Sequence, residues 1–450
     1  MTQQGVRWTA DQVLALAPDA ASRKAGSKLG AAGPWSEAGS SDEGTVWGLC
    51  KGSGSRPYQT VVDIADASGP AYKCTCPSRK FPCKHAIGLL LLWAGGDGAV
   101  PPGRAPDWAG QWMAGRRQRA EGKRTAGEGG SAGPADPEAA RRRAERRTER
   151  VTAGATELEQ RLADLLRGGL ASAEQSGYAL WEETAARMVD AQAPGLAARV
   201  RELGAIPGSG PGWPVRLLEE CALLHLLDQG WLRRERLPDG LAATVRSRVG
   251  LPAPADGPPV RDRWLVLAQY DTVDARLTTR RIWLYGAESD RTCQLLSYGA
   301  AGRAPELALP VGLALEAEVS AYAGSGRPRV ALGERFAPPA AASIRPPGVT
   351  TAQAAAQYGE ALGADPWLDS VPVTLDRVIP APDGDSWQLA DADADSALPL
   401  SPSARTHPGL WRLAALSGGS PVSVFGECGH RGFTPLAAWP EGPGAVVPLC

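Results

Sequence analysis

Apolar positions along the chain fall into three regimes. Over the first hundred residues they come in short runs. Thr9 stands before Val13, Leu14 and Leu16, with Pro18 as a stop. That pattern predicts a short helix capped by Thr9. A polar, glycine-rich stretch follows to Gly44. Runs rich in β-branched and aromatic residues then predict strands over 45–50 and 58–65, joined by the turn KGSGSRP at 51–57. A third short strand is expected at 71–73. The run 84–93 reads as a helix ended by Gly95 and Gly96.

Residues 141–250 carry a helical period. Leu158, Leu162, Leu165, Leu166 and Leu170 recur along one face, and further helices are predicted over 178–192, 196–203 and 215–229. These stripes are read as core. The intervening 114–140, dominated by Gly, Ala, Pro and Arg with no apolar period, reads as a disordered basic linker. After a Pro-rich break at 251–259, strands are predicted over 264–269, 281–285, 294–297, 315–321 and 329–332. A second Pro-rich break covers 337–347, followed by strands at 371–375, 387–389, 422–427 and 433–439 with a helix near 351–362. The expected fold class is α+β and multidomain. A small ββα module lies in 1–113, a linker in 114–140, a helical domain in 141–250 and a β-rich region in 260–450, divided near 337–350.

Length and composition fit this division. A chain of 450 residues with 43 % hydrophobic content holds several cores. No run approaches the roughly 18–20 apolar residues of a membrane span, and the polar start suggests no secretory signal. The expected location is cytoplasmic. The net charge of −1 conceals an asymmetry. Residues 1–150 hold 22 Lys+Arg against 15 Asp+Glu, and residues 151–450 hold 26 against 34. A basic front half suits nucleic acid or an acidic partner, or belongs to a solvated linker.

Eight cysteines in so long a chain do not resemble a disulfide framework. Three of them, with one histidine, fall at metal-ligand spacing: Cys74-x-Cys76, six residues, then Cys83-x-His85. In an extended segment residues two apart face the same way, so Cys74 and Cys76 reach one ion together. Pro77 and Pro82 stiffen the loop. Cys83 and His85 open the next helix, whose N–H groups favour a thiolate. Four donors make a closed Cys₃His zinc site of structural type. The nearest acids, Asp66 and Asp97, lie outside this knuckle, so no general base is expected.

The spacing resembles that of the SWIM zinc finger. The wider stretches Trp47-Gly48-Leu49-Cys50-Lys51-Gly52-Ser53-Gly54, Pro57-Tyr58 and Cys76 through His85 are similar to the bacterial SWIM zinc finger family proteins. So are Leu416 through Pro421 and Phe425-Gly426-Glu427, although Cys428 stands where that family usually has an aromatic residue. The resemblance implies a ββα zinc topology, one bound Zn²⁺ and a role in DNA or protein contacts. It also implies association with MoxR-type AAA+ ATPases and von Willebrand-A-like proteins.

Other constellations carry less. Lys73, Arg79, Lys80 and Lys84 surround the ligands beside Tyr72 and Phe81, and fit either phosphate contacts or a solvated face. Cys428-x-His430 repeats half a zinc pattern, with His407 and Cys450 as conceivable partners. Cys221 and His225 share a helix face, where a core histidine is expected. Asp391, Asp393 and Asp395 alternate without the rest of a calcium loop. There is no phosphate loop, dinucleotide fingerprint or nucleophile elbow. The sequence therefore reads as a non-enzymatic zinc-binding interaction protein or adaptor, with nucleic-acid binding as the alternative.

Overall fold

The structure is a computed structural model. It describes the chain except residues 1–6, 15, 19, 53–55, 66–69, 79, 81, 97, 129–135, 252–254, 256, 274–276, 301–304, 306, 323–328, 338 and 443. The N-terminal module contains α1 (Ala10–Leu14), α2 (Ala20–Ser27), β1 (Trp35–Ser40), β2 (Thr45–Cys50), β3 (Tyr58–Asp63), β4 (Ala71–Cys74) and α3 (Lys84–Ala94). The strands form one antiparallel sheet in the order β1-β2-β3-β4. The β2–β3 register places Val46 opposite Val62 and Trp47 opposite Val61, so the two pairs face opposite sides.

Both sides of that sheet are covered. Val46 and Val62 join Ile87, Leu89 and Leu90 of α3 in one core. Trp47 and Val61 pack with Ala109, Trp108 and Trp112 of α4 (Asp107–Glu128). Helix α3 is apolar nearly all round because it meets partners on several sides. Leu89 lies against Gly48 of the sheet, Ile87 against Gly26 of α2, and Trp93 meets the Trp8 ring edge-on at 6.0 Å.

The middle of the chain is helical: α5 (Pro137–Gly168), α6 (Ala171–Asp190), α7 (Pro194–Ala205), α8 (Trp213–Leu232) and α9 (Asp239–Val249). Asp136 caps α5 by accepting from the Ala139 N–H at 2.9 Å, with Pro137 in the first turn. Leu158, Leu162, Met188, Leu196, Leu224 and Trp231 share one core.

The C-terminal region builds two antiparallel sheets. The first contains β5 (Val260–Val273), β6 (Leu277–Gly286), β7 (Thr292–Ala300), β8 (Leu313–Ala321), β9 (Val330–Arg335) and β10 (Ala340–Ala341), in the order β10-β8-β5-β6-β7 with β9 beside β8. Helix α10 (Thr351–Ala364) leads to the second, which contains β11 (Ser370–Asp383), β12 (Ser386–Asp391), β13 (Ala397–Pro399), β14 (Val422–Gly429), β15 (Gly432–Trp439) and β16 (Val447–Pro448). Its order is β13-β12-β11-β14-β15-β16, with α11 (Pro402–Thr406) and α12 (Gly409–Ser417) inserted between β13 and β14. Leu265, Leu267 and Trp283 of one sheet pack on Phe425, Leu436 and Trp439 of the other. The helical middle docks here too. Arg248 of α9 donates to Asp365 at 2.5 Å, and the Trp367 indole donates to the Leu223 carbonyl at 2.8 Å.

The chain is thus a mixture of helix and sheet with a helical middle and a β-rich C-terminal region. Local details depart from the sequence pattern. The segment expected as linker from 114 is helix as far as Glu128, because its Ala, Arg, Gln and Lys residues favour helix without needing an apolar stripe. The polar, glycine-rich stretch before Gly44 contains α2 and β1, and α9, α11 and α12 are further helices the pattern did not indicate. No helix among the described residues is long and apolar enough to cross a membrane.

Candidate metal centre

Cys74 ends β4 opposite Thr60 of β3. The pairing continues one residue further, since the Thr75 N–H donates to the Gln59 carbonyl at 3.1 Å and Gln59 N–H to the Thr75 hydroxyl at 3.0 Å. That keeps the backbone extended, so Cys74 and Cys76 project to the same side. Cys83 occupies the N-cap of α3 with extended backbone (ψ 167°), and His85 falls in the first turn. Strand end and helix start therefore aim at one point. Cys83 and His85 are buried, and Cys74 and Cys76 are half-buried.

The four donor atoms, one from each of Cys74, Cys76, Cys83 and His85, all lie within 4.8 Å of one another. His85 Nδ1 is 3.7 Å from the Cys74 sulfur and 4.0 Å from that of Cys83, so Nδ1 is the nitrogen turned inward. Around zinc, bonds of about 2.3 Å to sulfur and 2.0–2.1 Å to nitrogen set tetrahedral edges of roughly 3.6–3.8 Å. The cluster fits one structural zinc ion. When bound, the ion cross-links strand to helix and supplies folding free energy.

Neighbours support the donors. The Thr60 hydroxyl lies 3.2 Å from the Cys74 sulfur. The Tyr58 ring lies against the His85 imidazole, centroids 5.0 Å apart. Without metal, the thiols share charge unequally. A hydrogen bond from the Cys83 thiol holds Cys74 well below the usual thiol range, against the opposing effect of burial, and the same bond pushes Cys83 well up. Burial raises Cys76. A divalent cation removes this inequality by stabilising all three thiolates, so loading releases protons.

Sequence spacing located the four donors but not Thr60 or Tyr58. Those enter through the β3–β4 register and the packing of α3, which no local pattern encodes. Lys73, Lys80 and Lys84 are exposed around the cluster. Arg79 and Phe81 lie outside the described residues, as do Asp66 and Asp97. Lys51 and Lys84 line a cleft of about 600 Å³ that also touches Tyr58, Cys76 and His85.

The remaining candidates are not brought together. Cys428 is buried in the core of the second C-terminal sheet, whereas His430 is exposed near the Tyr358 hydroxyl. His407 accepts from the Gly409 N–H, and the Cys450 thiol donates to the Gln269 carbonyl. His225 corrects its expected place in the core. It is exposed on α8, with Nδ1 2.8 Å from Glu159, while Cys221 alone turns inward. Asp391 accepts from the Thr351 N–H and hydroxyl at the start of α10, and Asp393 pairs with Arg377.

Comparison with known families agrees with this geometry. Residues 60–94 match the family model of the SWIM zinc finger, and residues 146–249 match that of the SWIM-associated four-helix bundle domain. No curated protein and no solved structure matches the chain. The first match begins within β3 and takes in β4, all four donors and α3; the second begins within α5 and ends at the last residue of α9. With its donors converged and helices α5 to α9 in place, the chain is similar to the SWIM zinc finger over the first stretch and to the SWIM-associated four-helix bundle domain over the second.

Proposed function

We propose that this chain is a non-enzymatic, cytoplasmic adaptor whose zinc-stapled ββα unit, β3–β4–α3, presents a protein-interaction surface. The observation that carries the reading is the convergence of four donors, enough to complete a tetrahedral shell. A catalytic zinc keeps a position open for water or substrate, and the Cys₃His set leaves none. The family resemblance supports a MoxR-type AAA+ ATPase or a von Willebrand-A-like protein as partner. Affinity capture from native lysate with and without nuclease tests the reading. Nuclease-resistant capture of an AAA+ ATPase, lost when zinc is chelated, is expected. Capture that is abolished by nuclease contradicts it.

A second reading rests on the cleft lined by Lys51 and Lys84 beside the Tyr58 ring, together with exposed Lys73 and Lys80. Here nucleic acid would set phosphates on the lysines. Affinity would then fall steeply with salt, and a gel shift that stays blank at low salt rules this out.

A further inference from the structure

A cavity of about 720 Å³ opens where three parts of the chain meet. Pro18 and Arg23 of the N-terminal module line it, with Tyr270 and Trp283 of the first C-terminal sheet and Glu427 and Leu436 of the second. Its size and its place at a junction are those of a small-molecule site. Charges of both signs line it, and most are already served. Asp271 holds Arg280 through two bonds of 2.8 Å, and Asp369 has a partner of its own. Arg23 is exposed on α2, where water serves its charge. Glu427 and Arg281, both half-buried, are left without an opposite charge among the described residues.

The Glu427 carboxylate is held by neutral donors only. Its Oε1 accepts from the Tyr270 hydroxyl at 2.6 Å and the Trp283 indole at 3.0 Å. Its Oε2 meets the Ser370 hydroxyl alone, at 3.3 Å. These donors orient the group without neutralising it, and Oε2 keeps acceptor positions open. Arg281 stands beside it because of strand register. It lies directly opposite Tyr270 in the β5–β6 ladder, and Trp283 follows two residues along β6, so the three side chains share one face. At the Tyr270 hydroxyl, the Arg281 charge opposes the rise that burial and Glu427 produce. Arg281 nevertheless forms no ion pair with Glu427; among the described residues its side chain donates to the Thr272 hydroxyl at 3.0 Å. A guanidinium and a carboxylate thus face the same cavity, near each other but not in contact. Half-buried charges in that state are the ones a ligand's charges would complement.

We propose that this cavity binds an α-amino acid with an apolar side chain, its ammonium on Glu427 and its carboxylate on Arg281. A zwitterion brings both missing charges in one molecule, which a simple anion or a simple cation does not. Charge-assisted hydrogen bonds at its two ends fix its direction. Val311, Leu410 and Leu449, all buried, line the same cavity and offer the side chain an apolar wall. The site shares no residue with the zinc cluster.

The test uses the full zinc-loaded chain, with L-phenylalanine as probe, followed by tryptophan fluorescence and calorimetry. Two analogues each lack one charge: 3-phenylpropanoate has no ammonium and 2-phenylethylamine has no carboxylate. Phenylalanine is expected to bind, and each analogue to bind more weakly by about tenfold or more. Glu427→Gln is expected to erase the advantage of phenylalanine over 3-phenylpropanoate while keeping its advantage over 2-phenylethylamine. Arg281→Gln is expected to do the converse. Each comparison is made within one protein, so the analogue that keeps its affinity reports an intact cavity. Absence of phenylalanine binding, an analogue that binds as well as phenylalanine, or a variant that weakens phenylalanine and both analogues equally overturns the proposal. So does unchanged discrimination in either variant. None of these outcomes depends on capture of an AAA+ ATPase, so the two readings fail separately.

Discussion

At Cys74, one sulfur serves the metal and also takes a hydrogen bond from Thr60 at 3.2 Å. Hydrogen bonds to coordinated thiolates orient them and tune affinity. Thr60→Val, which keeps the shape and removes the hydroxyl, is expected to weaken zinc binding about tenfold. Competition against a chromogenic chelator measures this, and unchanged affinity would dismiss Thr60 as a supporting group.

A second residue with a large energetic consequence lies far from the zinc. Asp228 of α8 is fully buried beside the helical core, and neither carboxylate oxygen has a hydrogen-bond partner among the described residues. Burial, with a smaller effect from Glu159, pushes its pKa up to about 9 from an ordinary 3.8. The folded chain therefore holds a proton that the unfolded chain releases above about pH 4. Stability from this group is complete below that pH and declines as pH rises toward 9. Asp228→Asn, always neutral, is expected to match the parent near pH 4 and to exceed it by about 2–4 kcal/mol near neutrality. Denaturant melts across this pH range would show a gap that widens with pH. A gap independent of pH would mean that Asp228 is ionised in the fold.

Among elements, α3 and the turn that follows α2 show how closeness depends on glycine. A Cβ at Gly88 would stand 2.5 Å from the Leu29 Cβ and 3.1 Å from its carbonyl oxygen. Gly88→Val is expected to destabilise the N-terminal module by about 1–3 kcal/mol, read from hydrogen exchange of α3. Protection equal to the parent would show that the contact gives way freely.

The same elements show what a sequence reader sees. Helix α3 was legible because eleven residues from Lys84 to Ala94 are almost all apolar between a ligand pair and two glycines. Strand β2 was legible from its run of β-branched and aromatic residues. Strand β1 was not, since its Glu37 sits at φ +50° within a bulge and its exposed residues, Ser36 and Glu37, are consecutive, so no period of two survives. Helix α2 was hidden for a related reason: its contact with α3 is made through Gly26, which carries no hydrophobic signal. At the site, donor spacing is written locally, whereas Thr60 and Tyr58 are placed by strand register.

Across the whole molecule, the helical middle is fixed to the C-terminal region by a buried ion pair. Asp365 is almost fully buried and pairs with Arg248. Removing one partner leaves the other charge buried, which costs about 3–5 kcal/mol. Arg248→Ala is expected to lose that much and to expose a protease site between α9 and β5. Limited proteolysis that cleaves variant and parent alike would show that docking does not depend on the ion pair.

At this scale zinc ties the sheet of the N-terminal module to α3, in a core that also takes in Ala308 and Leu313 from the C-terminal region. Cys83→Ser is therefore expected to remove amide protection over residues 45–95 while the helical bundle keeps its own. The most direct measurement is zinc-edge X-ray absorption on the purified chain, with zinc counted in the same sample. One zinc per chain is expected, with three sulfur scatterers near 2.3 Å, one nitrogen near 2.0–2.1 Å and no oxygen. An oxygen in the shell, or well under one zinc per chain, would contradict the closed structural site.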